Sequence, residues 1–183
     1  MMGEKVEVKR LPYRILRPGP AVLVTCCDAR GRPNIITVGW VTAVSGRPPL
    51  VAISIGRTRY SHDLIGEQGE FVINVPGTDL LREVWYCGSR SGRRVDKFRG
   101  AGLTPVRARR VRPPVIKECI GHLECKVVGK VPTGDHTLFI GEVLSAYAES
   151  DLFKRGIWDI EKASVLIHVG SRLFTTAKER LLA

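Results

Sequence analysis

The chain has 183 residues, 44% of them hydrophobic and 26% charged, with a formal net charge of +11. That length and balance point to one domain, residues 1–183, with a core of useful size, and they exclude a disordered chain. No apolar run reaches the roughly 18 residues that a membrane-spanning helix requires.

Residues 1–17 read as a charged arm that packs on the surface or on a partner. The first residues, MMGEKVEVKR, carry charge where a signal peptide needs an apolar stretch, so a cytoplasmic location is expected. Ala21 to Cys27 is a strand, Asp28 to Arg32 a turn, and Pro33 to Val41 the returning strand of a hairpin, with Gly31 supplying the positive φ of the turn. After a second turn, Ser45 to Pro49, the run Leu50 to Ile55 is almost continuously apolar, as in a strand covered on both faces or lining a barrel.

The stretch Ser54-Ile55-Gly56-Arg57-Thr58-Arg59-Tyr60-Ser61-His62 then turns from that strand into a helix, Ser61 to Glu67, with Ser61 as its cap and Gly69 at its end. A helix start leaves unpaired N–H donors that suit an anion, and arginine adds paired donors matching phosphate oxygens. The bland alternative is an Arg-rich surface turn. Phe71 to Val75 is the next strand. Thr78 or Asp79 can cap a second helix whose Leu80, Leu81, Val84 and Trp85 share one face. The polar loop Cys87 to Arg94 follows, either a second anion contact or a plain flexible loop, and then a helical turn, Val95 to Arg99.

The arginine cluster Arg107 to Arg112 precedes Pro113-Pro114 and reads as a solvated loop. Cys119 to Val131 and Thr137 to Tyr147 are long strands joined through Pro132 to His136. Residues 149–162 look irregular, Val165 to Val169 is a last strand, and the tail is polar. The cysteines, Cys26, Cys27, Cys87, Cys119 and Cys125, contain no CxxC pair. Cys119, His122 and Cys125 cannot converge on a metal, because His122 points to the opposite face of the strand from Cys125; no metal site is expected.

Roughly seven strands joined by tight turns, with a few short helices, predict a mainly β fold: a small antiparallel, Greek-key split β-barrel. GxGxxG and Walker A motifs are absent, so any phosphate is held outside the standard nucleotide folds. Nucleic-acid binding is not expected, for lack of an aromatic stripe.

The ordered segments Pro18 to Thr25, Gly31 to Thr37, Pro48 to Val51, Gly69 to Val75, Ser91 to Phe98, Gly134 to Thr137 and Gly141 to Val143 are similar to the flavin reductase-like family with the FMN-binding split barrel. The resemblance spans about residues 18–147 and weakens at His168-Val169-Gly170. It implies a homodimer with FMN, or alternatively FAD, near the subunit interface. By that resemblance Thr37, Val38, Gly39 and Trp40 lie against the isoalloxazine ring. Ser54, Ile55, Gly56, Arg57, Arg59, Tyr60 and Ser61 take the ribityl chain and phosphate, and Ser89, Ser91 and Gly92, with Lys97, close the site. Glycine stands at position 39 where the family pattern leads one to expect serine. No catalytic residue is assigned outright. His136, beside Asp135, is the candidate to contact a nicotinamide, the alternative being that the pair only builds a turn. The implied activity is an NAD(P)H-dependent flavin or ferric reductase. The rival reading is an FMN electron carrier of flavoredoxin type without an NAD(P)H site, docking to a redox partner protein.

Overall fold

Residues 3–179 and 181 are described by the computed structural model; residues 1, 2, 180, 182 and 183, the ends of the expected arm and tail, lie outside them. The apolar runs form β1 (Val22–Cys27), β2 (Pro33–Val38), β3 (Val41–Gly46), β4 (Pro49–Gly56), β5 (Glu70–Val75), β6 (Gly121–Thr133) and β7 (His136–Ala148). They join in one sheet in the order β2-β1-β5-β6-β7-β4-β3, every neighbour antiparallel. Its two edges are consecutive in the chain and separated only by Gly39-Trp40. The sheet therefore curls into a barrel that is split between β2 and β3. The expected single strand from Pro33 to Val41 is thus two. Beyond Val38 the chain stops pairing with β1 and starts pairing with β4, and Trp40 O accepts from Ser54 N–H at 2.9 Å.

Period-two alternation sorts the side chains between two cores. Val24, Ile53, Phe71 and Phe139 fill the barrel, while Leu23 and Ile35 face outward against Leu80, Val84, Phe98 and Leu166. Helix α1 (Tyr60–Gln68) covers the barrel with Leu64 and Ile65 and stops at Gly69, whose φ of 70° permits the left-handed cap. Its N-cap is Arg59 rather than Ser61, because Arg59 is already extended (φ −80°, ψ 135°). Helix α2 (Leu81–Ser89) follows a 3-10 turn, Thr78–Leu80, and neither Thr78 nor Asp79 caps it through its side chain. Its buried face is Val84 and Cys87, continued by Leu80 of the preceding turn, so Leu81 and Trp85 remain exposed, contrary to the expected stripe. The helix also absorbs Cys87, Gly88 and Ser89, which the sequence suggested as loop. Helix α3 is Lys97–Ala101.

Two segments depart further from expectation. Arg107 to Arg112 is a strap, not a free solvated loop. Ala108 and Val111 are buried, and the N–H groups of Arg109 and Arg110 donate to the fully buried Glu124 carboxylate at 2.9 and 2.6 Å. Tyr147 donates its hydroxyl to the same carboxylate at 2.9 Å. Burial first, then the bond to the Glu124 carboxylate, pushes the Tyr147 phenol up to about 12. A phenol whose folded pKa exceeds its unfolded value of about 10 contributes stability that is intact below that pH and declines as pH rises towards 12. Urea midpoints should therefore fall between pH 10 and 12, and Tyr147→Phe should remove much of that slope.

The C-terminal region is also more ordered than its sequence suggests. Phe153–Lys154 pairs with Ile157–Trp158, and β8 (Ile167–Gly170) pairs with β9 (Leu173–Thr175). Gly19 and Pro20 add to the other side of β8, opposite His168 and Ile167. An early segment and a late segment of the chain thus share one three-stranded sheet. Among the described residues no His, Cys, Asp or Glu group is arranged to hold a metal. His122 Nδ1 donates to Asn74 Oδ1 at 2.9 Å, and Cys119 and Cys125 are buried thiols.

Candidate functional site

Where the chain crosses at Gly39-Trp40, a cavity of about 300 Å³ opens between β2, β4, α2 and the C-terminal hairpin. A second cavity, about 140 Å³, adjoins it through Ile36, Arg59 and Gly88. The larger one is walled by Trp40, Trp85, His136, His168 and Phe174; the smaller is polar and basic, with Asn34, Ser61, Arg90 and Lys97. Among the described residues no carboxylate lines either cavity. The nearby acids are engaged elsewhere: Asp63 pairs with Arg93, and Asp135 with His136. Such a lining favours an anion, because the cations are not neutralised within it.

The structure brings most of the expected residues together. Thr37, Val38, Gly39, Trp40, Ser54, Ile55, Gly56, Ser89 and His136 line the larger cavity. Tyr60, Ser61, Ser91, Gly92 and Lys97 line the smaller, and Arg59 lines both. Arg57 lines neither; its N–H is tied to Asp135 O at 3.0 Å, which fixes the turn instead. Ser89 is separated from Ser91 and Gly92 because it ends α2 and faces the larger space.

Several side chains are already committed within the protein. Thr37 Oγ1 donates to Val84 O at 2.5 Å, so this hydroxyl ties β2 to α2 and residues 37–40 present mainly backbone. Ser61 Oγ accepts from the buried Asn34 amide at 2.7 Å. Lys97 is 5% exposed and donates to Ile35 O and Cys87 O, each at 2.7 Å, which leaves its third N–H for the cavity. Desolvation lowers its pKa. Burial raises the neighbouring Cys26 and Cys87 thiols to about 12 and about 11, so they stay neutral and do not balance the lysine. Arg59 has no side-chain cap or ion pair among the described residues and is exposed at the junction. No Cβ fits at Gly92, which lies against Asn34 and Tyr60 and so brings the 90–94 loop onto the smaller cavity.

His136 Nδ1 is 2.6 Å from Asp135 Oδ1, and its ring packs on Trp40 with centroids 4.7 Å apart. The hydrogen bond to His136 holds the Asp135 carboxyl below its ordinary range. His136 lines the larger cavity with its Nδ1 held by Asp135.

Sequence reasoning missed Arg17, Asn34, Trp85, His168, Ser171 and Phe174. Asn34 carried a signal, an amide in an otherwise apolar strand. The others come from the arm, from a helix face expected to be buried, and from the C-terminal hairpin; only the curled sheet brings them together.

The chain is similar to a number of proteins of known name or structure, among them the following. Flavoredoxin of Desulfovibrio vulgaris (Miyazaki F) superposes with a TM-score of 0.87 at 31% identity, covering 100% of this chain and 97% of the other. A flavin reductase of Pseudomonas putida is 31% identical over 76% of this chain and 81% of its own length. A split barrel domain protein of Shewanella frigidimarina, at 19% identity, matches the fold with a TM-score of 0.85 over 97% of this chain and 93% of its own. Residues 15–176 match the family described as flavin reductase like domain, and the chain belongs to that family.

Proposed function

We propose that this protein binds FMN and is an oxidoreductase that reduces it with NAD(P)H, passing electrons on to free flavin, ferric iron or a partner protein. The observation that carries the reading is the two-part, carboxylate-free cavity: an aromatic-walled space sized for a planar ring, opening at Arg59 into a small basic space suited to a phosphate. The third N–H of Lys97 and the orphaned Nη1 of Arg17 are donors that a ligand would satisfy, so the residues present fit FMN. Bound FMN supplies the hydride and electron chemistry; the chain has to hold it, shield it and admit a donor. Backbone at 37–40 borders the ring space, Arg59 and Lys97 face the phosphate, and His136, held by Asp135, meets the incoming nicotinamide. Anaerobic stopped-flow mixing tests the donor: NADH or NADPH should bleach the flavin's visible band, and absence of bleaching with both would overturn this reading. His136→Ala should slow bleaching about tenfold while FMN affinity stays within about twofold. An affinity for FAD matching that for FMN would overturn the choice of cofactor.

A second reading is an electron carrier without an NAD(P)H site, favoured by the similarity to flavoredoxin and by the net charge of +11, which suits an acidic redox partner. The same experiment separates the two. A homodimer is part of the proposal, supported by the exposed apolar side chains Val44, Val128, Val131 and Leu144. Sedimentation should give twice the 20.2 kDa chain mass.

A further inference from the structure

Arg17 carries an unpaired buried donor, and both sides of its backbone are anchored. Its N–H donates to Arg14 O at 3.1 Å, ending the 3-10 turn Pro12–Leu16, and Pro18 restrains it to extended backbone (φ −86°, ψ 152°). Gly19 and Pro20 then pair with β8. So fixed, the side chain reaches over Gly39. A Cβ at position 39 would stand 3.0 Å from Nη2 and 3.2 Å from Nη1. Nη1 is shut off from solvent and has no hydrogen-bond partner among the described residues. A buried N–H of a cation left without an acceptor is strongly unfavourable, and the guanidinium plane suits paired acceptors lying in one plane.

We infer that Arg17 is a ligand-positioning residue that donates to the carbonyl and nitrogen edge of the flavin ring and favours its reduced form. This rests on the FMN reading above. The location decides between ring and phosphate. Arg17 lines only the larger, aromatic-walled cavity, whereas the basic donors Arg59 and Lys97 cluster at the smaller one. Two-electron reduction with uptake of one proton leaves one negative charge on the ring, and a guanidinium at that edge stabilises it. The same geometry accounts for glycine at position 39. Its backbone is outside the left-handed region, so it is not needed for φ; a Cβ there would instead press on the guanidinium and require it to shift by a few tenths of an ångström.

The test uses the full chain stripped of flavin, with FMN and riboflavin as probes. Dissociation constants come from quenching of flavin fluorescence, and the midpoint potential from anaerobic titration with dithionite. Arg17→Gln should weaken FMN and riboflavin by the same factor, about tenfold, and should weaken reduced FMN about tenfold more than oxidised FMN. That further tenfold is about 30 mV towards negative potential for a two-electron couple. Gly39→Ala, which leaves Arg17 in place, should lower the potential by a smaller amount, and the double variant should fall no further than Arg17→Gln alone. Gly39→Ala also carries the test if Arg17→Gln fails to fold. A loss confined to FMN would place Arg17 at the phosphate and overturn the assignment, and unchanged affinities and potential would overturn it as well. A wild-type chain that binds neither flavin would overturn the FMN reading, and this one with it.

Discussion

Arg59→Ala is expected to weaken FMN binding about 30-fold, the roughly 2 kcal/mol carried by a charge-assisted hydrogen bond, while riboflavin binding changes by less than about threefold. The contrast follows from position. Arg59 stands at the junction of the two cavities, at the N-cap of α1, with no capping or ionic partner among the described residues. Its charge is therefore available to a ligand, and only FMN offers a phosphomonoester to receive it. Raising the salt should reduce the difference, since an exposed guanidinium is screened. Fluorescence titration with both flavins checks the result, and equal losses for the two would remove the phosphate from this loop. Lys97 is no substitute, because two of its three N–H groups already serve Ile35 O and Cys87 O.

Glu124→Ala is expected to destabilise the fold by about 4 kcal/mol, lowering the thermal midpoint by about 10 °C. The carboxylate is fully buried and receives the N–H groups of Arg109 and Arg110 and the hydroxyl of Tyr147. Alanine would leave these donors without their acceptor and a cavity beneath the strap. The Arg109 guanidinium, 3.8 Å over the Tyr147 ring, would lose its platform if Tyr147 shifted. Glu124→Gln should fall between wild type and alanine, because it keeps the volume and one acceptor oxygen but turns an N–H pair towards other donors. Urea unfolding measures both variants, and a loss below about 1 kcal/mol for alanine would show that the strap is held by Ala108 and Val111 instead.

The two positions illustrate different degrees of legibility. The loop from Ser54 to Ser61 can be read locally: an apolar strand, a glycine turn and a helix start follow one another within a few residues, and Arg59 falls at the junction. Glu124 gives no such signal. It sits in the alternating pattern of β6, where a charge predicts a solvent-facing position, and only the strap from residue 107 to 112 makes that face an interior.

The long strands, the hairpins, the C-cap at Gly69 and the resemblance to the flavin reductase-like family could be read from the residues alone, because these depend on period, turn chemistry and short ordered motifs. Tertiary structure alone decided that Pro33 to Val41 breaks at Gly39-Trp40, since that break depends on which strand each half pairs with. It alone brought Arg17, Trp85, His168 and Phe174 around one cavity. Arg17, Trp85 and the hairpin that carries His168 and Phe174 are far apart in the chain, and the curled sheet, with Gly19-Pro20 paired to that hairpin, is what makes them neighbours.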